Sequence, residues 1–161
     1  MTKEYLETPI GKIEISGNED TIFSITFVDE TAEEITSRFI PKEIAKCIEQ
    51  LQEYFDGERT EFELNLGERG TDYQRKVWEQ IAKIPKGKTV SYKKLGEQIG
   101  DTSPRAIGNA TGKNPYLIVV PCHRVMGTSG DLTGYAGGKT RKEWLLKFEN
   151  ALNVPQQLSL F

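Results

Sequence analysis

The chain is poor in the residues that bind metals or form disulfides. Its 161 residues include two cysteines, Cys47 and Cys122, and one histidine, His123. Without a Cys-x-x-Cys pair, these three residues cannot form an ordinary structural zinc site, and they allow at most one disulfide. We expect no metal and no cofactor. A reactive Cys122 requires a free thiol, which favours a reduced, cytoplasmic protein.

Long apolar segments are also missing. The first residues have no apolar signal-peptide core, and no apolar run is long enough to span a bilayer. The apolar content of 37% and the charged content of 28% are typical of a soluble globular protein. The length suits one domain or two small ones.

The net charge of −3 hides a strong asymmetry between the two halves. Residues 1–68 carry 6 Lys and Arg against 17 Asp and Glu, a net charge of −11. Residues 69–161 carry 15 against 7, a net charge of +8. We expect an acidic α/β domain over 1–68, a basic domain over 69–151 that meets an anion such as nucleic acid, and a tail over 152–161. A chance arrangement of solvated faces is the alternative.

The acidic half has the pattern of a small sheet. Alternating apolar residues and intervening turn residues predict a three-stranded antiparallel meander near 5–7, 13–15 and 22–27. Residues 62–66 are consistent with one more strand. This half contains no recognisable catalytic constellation.

Helices are also predicted in the acidic half. A short helix is expected at 33–38, and Pro41 begins a longer amphipathic helix that ends at Gly57. Cys47 lies on the apolar stripe of that helix, which indicates a core residue rather than a second nucleophile.

Three helix starts follow the boundary near Gly67–Gly70. Thr71 and Gln74 form a capping box, Ser91 is an N-cap, and Ser103 precedes a proline. These signals predict helices over 72–84, 92–99 and 105–111. The last two, joined by a tight turn, resemble a helix-turn-helix. Together the halves predict an α+β protein, with an antiparallel-sheet and helix domain followed by a mostly helical, winged-helix-like domain.

The third of these helices is unusually thin. Ala106, Gly108 and Ala110 give it little side-chain bulk. Two interpretations remain open: the helix backbone approaches a partner closely, or the helix packs closely inside the protein.

The cysteine and the histidine stand side by side in a distinctive context. The apolar run 117–120 predicts a buried strand that leads to Cys122. A thiol reacts as thiolate, so it needs a base or a positive charge nearby, and His123 and Arg124 are candidates. Because neighbours on a strand face opposite ways, a water would have to bridge them. The alternative is a buried cysteine that merely precedes a surface histidine.

Two further segments complete this constellation. Residues 127–138 contain five glycines and one large side chain, Tyr135, which is typical of a mobile lip around a pocket. The final helix is expected over 139–151, with Glu149 near its end.

Several motifs occur in a fixed order over residues 71–150. They are Ser-Tyr-x-x-Leu at 91–95, Arg-Ala-Ile-Gly-Asn-Ala at 105–110, Asn-Pro at 114–115, Pro-Cys-His-Arg-Val at 121–125, Gly-Tyr-x-Gly-Gly at 134–138 and Lys-Glu-Trp-Leu-Leu at 142–146. Together they resemble the O6-alkylguanine-DNA alkyltransferase family, which is also called the methylated-DNA–protein-cysteine methyltransferase family. The acidic half resembles the family's first domain in size and pattern only.

The resemblance implies a DNA repair reaction. An alkyl group, such as methyl, passes from the O6 atom of a flipped-out guanine to a cysteine, once and irreversibly. Double-stranded alkylated DNA, entered through its minor groove, is the implied partner, and the protein is expected to be a nucleoid-associated monomer in a bacterium. The sequence leaves open which alkyl groups are accepted and whether O4-alkylthymine is also a substrate.

The resemblance also implies roles for individual residues. Catalysis would involve the acceptor Cys122, a proton relay through His123 and a water near Glu149, and proton donation to the leaving guanine by Tyr92. The substrate pocket would involve Asn114, Val125, Tyr135, Ala136 and Gly137. DNA contacts would come from Ser91, Ser103, Arg105, Ala106, Gly108 and Arg124, with Arg105 inserted in place of the flipped base. Ala136 stands where some members have serine, which leaves only a backbone N–H for the guanine oxygen.

The last five residues form a separate motif. Gln157, Leu158, Ser159, Leu160 and Phe161 resemble the short peptide with which bacterial repair proteins bind the replicative sliding clamp. Folding of the apolar side chains onto the protein's own core is the alternative.

Two other functions remain open. The first is a non-catalytic sensor of alkylated DNA, although such relatives lack the cysteine. The second is a hydrolase that uses Cys122 and His123, which would turn over repeatedly.

Overall fold

The structure is a computed structural model that describes residues 1–31, 39–101, 103–127 and 134–151. The helix predicted at 33–38 and the tail at 152–161 lie outside these residues. The chain divides into two compact units, Met1–Arg69 and Gly70–Phe161. The first contains an antiparallel sheet and a helix, and the second is mostly helical, so the predicted α+β class is confirmed.

The sheet of the first unit has the predicted meander topology. Strands β1 (Thr2–Thr8), β2 (Gly11–Gly17) and β3 (Ile22–Val28) pair in the order β1-β2-β3, and both pairs are antiparallel. Alternation along the strands turns one set of side chains inward. This set includes Leu6, Ile13, Ile15 and Ile25, and Ile22 is also buried beside the register irregularity of the β2–β3 pair.

Helix α1 (Lys42–Phe55) supplies the other side of this core. Pro41 is its N-cap residue, and the fully buried Cys47 lies on its inner face, as predicted. Burial, reinforced by the nearby Glu43 charge, raises the pKa of the Cys47 thiol to about 12. Cys47 is therefore a core residue that stays protonated.

The strand predicted at 62–66 does not form. Only Leu66 makes a bridge, to Ile22 of β3. The rest of the segment bonds to side chains of α1: the Gln50 amide donates to the Glu63 carbonyl at 3.1 Å and accepts from the Glu63 N–H at 2.9 Å. The Glu43 carboxylate accepts from the Asn65 N–H at 2.6 Å. Helix side chains thus satisfy backbone groups that a strand would have used.

The second unit contains four helices and two short strands among the described residues. They are α2 (Asp72–Ala82), β4 (Val90–Ser91), α3 (Tyr92–Ile99), α4 (Pro104–Gly112), β5 (Val125–Met126) and α5 (Lys139–Phe148). β4 pairs with β5 in parallel. The predicted caps are all present: the capping box of Thr71 and Gln74, and the Ser91 and Ser103 caps.

The helix-turn-helix of α3 and α4 packs on α2 through specific contacts. The Trp78 indole N–H donates to the Ala110 carbonyl at 2.8 Å, a buried bond between α2 and α4. A Cβ on Gly96 of α3 would lie 2.4 Å from the Asp101 carbonyl oxygen and 2.7 Å from Ile107 Cδ1. Gly96 therefore permits the close approach of α3 and α4.

Across the described ranges, no helix is long and apolar enough to cross a membrane. Nor does that part of the chain contain a group of three or more His, Cys, Asp or Glu side chains that could hold a metal ion.

We predict opposite stability effects for two glycines of this motif. Gly96→Ala should lower the free energy of unfolding by about 1–3 kcal/mol, because its methyl group would overlap the backbone of the turn. Gly108→Ala, whose Cβ meets nothing within 4 Å, should raise it by roughly 0.5–1 kcal/mol through helix propensity. Urea denaturation of both variants measures this. Equal effects would contradict the assigned packing.

Candidate active site

The chain before the cysteine forms a turn that is organised by the buried Asn114. Its amide oxygen accepts from the Tyr116 N–H at 2.9 Å, and its amide nitrogen donates to the Val120 carbonyl at 2.8 Å. The same nitrogen lies 3.2 Å from Cys122 Sγ, to which it donates. One side chain therefore fixes the turn and contacts the thiol.

The strand predicted at 117–120 is wrong. Leu117 to Val119 lie in turns, and Ile118 has a φ of +71°, which is rare for a β-branched residue. The short apolar run lies between Pro115 and Pro121, which restrict the backbone and remove two N–H donors. The run is buried through the Asn114 turn rather than through a sheet.

The cysteine begins a 3₁₀ turn, Cys122–Arg124, in place of a strand end. Successive side chains of a 3₁₀ turn are about 120° apart, so Cys122, His123 and Arg124 point in three directions rather than to two opposite faces. All three are buried, with exposures of 2%, 0% and 5%. The alternative of a surface histidine is therefore excluded.

A buried carboxylate joins the other two side chains of this turn. Glu149 Oε2 lies 2.9 Å from His123 Nε2, and the Arg124 guanidinium donates to both Glu149 oxygens at 2.8 and 2.9 Å. Arg124 Nη1 also donates to the Ile84 carbonyl at 2.6 Å. This placement argues against the predicted DNA contact of Arg124, because its guanidinium is occupied and buried.

Glu149 is the C-cap of α5, which ends three residues before the predicted end. The next residue, Asn150, has the left-handed φ of +58° that terminates helices. The Ala151 N–H donates to the Leu146 carbonyl at 2.8 Å, which closes the last turn. The cap thus fixes the backbone position from which the Glu149 side chain reaches His123 and Arg124.

The charges of this network determine where its protons lie. Burial raises the pKa of Glu149, but hydrogen bonds from His123 and Arg124 and the charge of Arg124 outweigh it, and the pKa falls well below its ordinary value. Burial lowers the pKa of His123, against the opposing effect of Glu149. A neutral ring beside an ionised carboxylate must donate from Nε2, which leaves Nδ1 as the proton acceptor.

His123 Nδ1 is buried and has no hydrogen-bond partner among the described residues. It is therefore the available base of the site. Burial raises the pKa of Cys122 to about 11, although the Asn114 hydrogen bond and the charge of Lys142 lower it in part. At neutral pH the resting thiol is protonated, so its proton must leave during the reaction.

Tyr135 lies beside the turn that carries the thiol, and Tyr92 lies beside the glycine that precedes Tyr135. The Tyr135 ring packs edge-on against His123, with centroids 6.1 Å apart, and its buried hydroxyl has no partner within the described part of the chain. Tyr92 Oη lies 3.0 Å from where a Cβ on Gly134 would stand, and Gly134 has a φ of +91°. Because only glycine permits this approach, the predicted site residue Tyr92 lies close to the segment that carries Tyr135.

Other residues of the predicted pocket lie on the same segments. Gly137 is buried and Ala136 is exposed beside Tyr135. Val125 caps the 3₁₀ turn, and its carbonyl accepts from the Lys142 ammonium at 2.6 Å.

Lys142 is a site residue that the sequence analysis missed, and it has no exposed surface. It lies three residues before the buried Leu145 and seven before Glu149, so helical spacing places all three on one face. This helical spacing is the sequence signal that could have identified Lys142 as a buried residue of the site.

The predicted DNA-binding residues other than Arg124 lie on the helix-turn-helix. Arg105 is exposed in the first turn of α4, and Ser91 and Ser103 cap α3 and α4. The two interpretations of the thin helix α4 apply to different residues. Ala110 is buried and accepts the Trp78 bond, whereas Gly108 faces open space, so internal packing does not explain Gly108.

Two family models match the chain. The model described as "6-O-methylguanine DNA methyltransferase, ribonuclease-like domain" matches residues 1–67, and "6-O-methylguanine DNA methyltransferase, DNA binding domain" matches 72–151. A methylated-DNA–protein-cysteine methyltransferase of Mycolicibacterium paratuberculosis is 44% identical over 159 residues, which cover 97% of this chain and 96% of the relative. The chain belongs to the 6-O-methylguanine DNA methyltransferase family.

Other members of this family resemble the chain over most of its length. The constitutive methylated-DNA–protein-cysteine methyltransferase of Bacillus subtilis is 41% identical and covers 89% of the chain and 92% of the relative. A crystal structure of Mycobacterium tuberculosis OGT in complex with DNA has a TM-score of 0.82 at 40% identity, with 92% of each chain covered.

We predict that Glu149→Gln destabilises this family member by about 3–5 kcal/mol at neutral pH, because it leaves Arg124 buried without its anion. The advantage of the wild type should be complete well above pH 4.3, the approximate unfolded pKa of a glutamate. It should shrink as the pH falls below 4.3 towards the lowered folded pKa, because the unfolded chain then takes up a proton at Glu149 that the folded protein does not bind.

Urea denaturation between neutral and acid pH measures this difference. Glu143→Gln is the matched control, because Glu143 forms a partly exposed ion pair with Lys147 on the same helix. Its effect should be within about 1 kcal/mol. A pH-independent difference for Glu149→Gln would contradict the assigned ionisation.

Proposed function

We propose that this protein repairs DNA by transferring an alkyl group directly and irreversibly from the O6 atom of guanine to Cys122. The observation that carries the proposal is the buried Cys122 thiol, held by Asn114 beside a network of His123, Glu149 and Arg124. The family membership supports the same chemistry.

The reaction balances with groups that the chain provides. The sulfur attacks the alkyl carbon, an S–C bond forms, and the C–O bond to guanine breaks with its electron pair on the base. The thiol proton passes to His123 Nδ1, through a bridging water. Glu149 stabilises the imidazolium that forms. The Tyr92 hydroxyl donates a proton to the departing guanine, and the tyrosinate that remains regains a proton through water as the His123 imidazolium gives one up.

Single turnover follows from the product. A thioether has no easily displaced group, and the chain offers no stronger nucleophile to remove its alkyl carbon. Each molecule therefore accepts one alkyl group.

The basic second unit is the DNA-binding part of this proposal. The O6 atom of a stacked guanine is inaccessible to a buried thiol, so the base must leave the duplex. The exposed Arg105 would fill the space that the base leaves. Gly108, which faces open space, would let the α4 backbone approach the minor groove.

The flipped base would lie against the segments around Tyr135 and Val125. The Tyr135 ring provides an apolar wall, a backbone carbonyl near Cys122 and Val125 accepts from the exocyclic amine of guanine, and the Ala136 N–H contacts the O6 atom. Asn114 fixes the turn that presents the thiol.

We predict that intact-protein mass increases by one methylene after incubation with excess duplex that contains O6-methylguanine. The increase should stop at one per molecule and map to Cys122. Cys122→Ala should show no gain. Cys47→Ala is the matched control and should be alkylated normally, because Cys47 lies in the core of the first unit.

Other outcomes of this experiment identify the alternative functions. Binding to the lesion without any mass change indicates a sensor. Neither binding nor alkylation, together with repeated turnover of an ester or peptide, indicates a hydrolase. Either result would refute alkyl transfer.

We further propose that residues 157–161 bind a bacterial sliding clamp. Gln157 suits a polar rim, while Leu158, Leu160 and Phe161 provide apolar anchors. The protein would act as a nucleoid-associated cytoplasmic monomer that the clamp brings to DNA.

Deletion of 157–161 should abolish clamp binding in a surface-immobilised assay and leave the rate of alkyl transfer unchanged. A chain with these five residues in scrambled order is the matched control, and it should also fail to bind. Clamp binding that survives the deletion would refute this assignment.

A further inference from the structure

Lys142 carries an ammonium group and is fully buried, a combination that is rare in proteins. Lysine is seldom fully buried, because removing an ammonium group from water is costly. Yet Lys142 has no exposed surface, and its Nζ donates to the Val125 carbonyl at 2.6 Å. A buried charge in such a position points to a function beyond packing.

The hydrogen bond places this charge next to the nucleophile's turn. Val125 is the C-cap of the 3₁₀ turn that begins at Cys122. Lys142 extends to it from α5, the same helix whose C-cap is Glu149. The helix therefore contributes a cation at one point of the site and a carboxylate at another.

The charge of Lys142 acts on the thiol. Burial is the largest influence on Cys122 and raises its pKa to about 11, whereas the Asn114 hydrogen bond and then the Lys142 charge lower it. Other titratable or charged groups also surround the turn. They are His123 and Arg124 on the turn itself, Glu149 at the end of α5, and Tyr135 on the glycine-containing segment.

We propose that Lys142 is a positioning residue for alkyl transfer: the Val125 carbonyl holds its ammonium group beside the 3₁₀ turn, where the charge stabilises the Cys122 thiolate. The inference rests on the proposed function and assigns a source of thiolate stabilisation beyond the His123 relay. Lys142 does not take the proton; it makes the loss of the proton easier.

The test compares three substitutions at one position. Lys142→Met removes the charge and the donor, Lys142→Gln removes the charge and keeps a donor, and Lys142→Arg keeps the charge. Lys147→Met is the matched control, since Lys147 lies on the same helix in a partly exposed pair with Glu143. Thermal melting of each variant establishes the range in which it is folded.

The decisive readout is a titration of the thiolate by its ultraviolet absorbance, with Cys122→Ser in each background as the reference. Loss of a nearby cation should shift the Cys122 titration upward by about one pH unit in the Met and Gln variants. Such a shift lowers the thiolate fraction at neutral pH about tenfold, and the transfer rate should fall by a similar factor. The Arg variant should restore much of both, and the control should match the wild type.

A merely structural role would give a different pattern. The Met and Gln variants would then melt at lower temperature, while the titration of Cys122 would coincide with that of the wild type. That result would overturn the proposal, as would a Gln variant that retains the wild-type titration through its donor alone.

The titration also separates this inference from the proposed function, because it requires no DNA. If the wild type accepted no alkyl group from O6-methylguanine, alkyl transfer would fail as the function. An upward shift in the Lys142 variants would still establish the electrostatic role of Lys142 towards the thiol.

Discussion

The buried carboxylate of Glu149 is the group on which the rest of the catalytic unit depends. It accepts hydrogen bonds from Arg124 and His123, and so fixes two of the three side chains of the 3₁₀ turn. Through Arg124 it also secures the Ile84 carbonyl, just after the end of α2. Without this anion, a buried guanidinium would lack its charge partner, and the imidazole would lose the acceptor that determines its tautomer.

The second constraint is the turn that leads to the thiol. Asn114 uses its amide to bond two backbone segments and the sulfur, and the chain tolerates a positive φ at Ile118 within that turn. Backbone strain of this kind persists only where surrounding bonds overdetermine it. The turn and the carboxylate act on opposite ends of the same short segment, which leaves Cys122 little freedom to move.

Sequence patterns predicted the parts of this structure that depend on local signals. The caps at Thr71, Ser91 and Ser103, the meander and the core position of Cys47 all follow from residue types at short spacings, because their energetics are local. The turn at 117–120 was missed because a short apolar run has the same period whether it is buried by a sheet or by one asparagine. The sequence around a residue does not indicate which distant residues its side chain will contact in the folded protein.

Arg124 and Lys142 are two residues whose partners lie far away in the sequence. Both are cations in a basic half of the chain, where charge alone favours solvent or a phosphate. Their burial depends on Glu149, 25 residues from Arg124, and on the Val125 carbonyl, 17 residues from Lys142. For Lys142, the helical spacing to Leu145 indicates burial. Arg124 lies on a turn that is too short to show a periodic pattern.

The burial of the nucleophile has a chemical consequence that joins these observations. Cys122 is 2% exposed and burial raises the pKa of its thiol, so we expect the resting thiol to react slowly with oxidants and alkylating agents in solution, because these attack the thiolate. Such protection is valuable in a protein whose only acceptor is consumed by one reaction. The same burial means that a substrate must enter the site to reach the thiol, where the unpartnered Nδ1 of His123 is the base available among the described residues. In the proposed reaction, selectivity for a base displaced from the duplex would therefore arise from the position of the thiol as much as from the residues of the pocket.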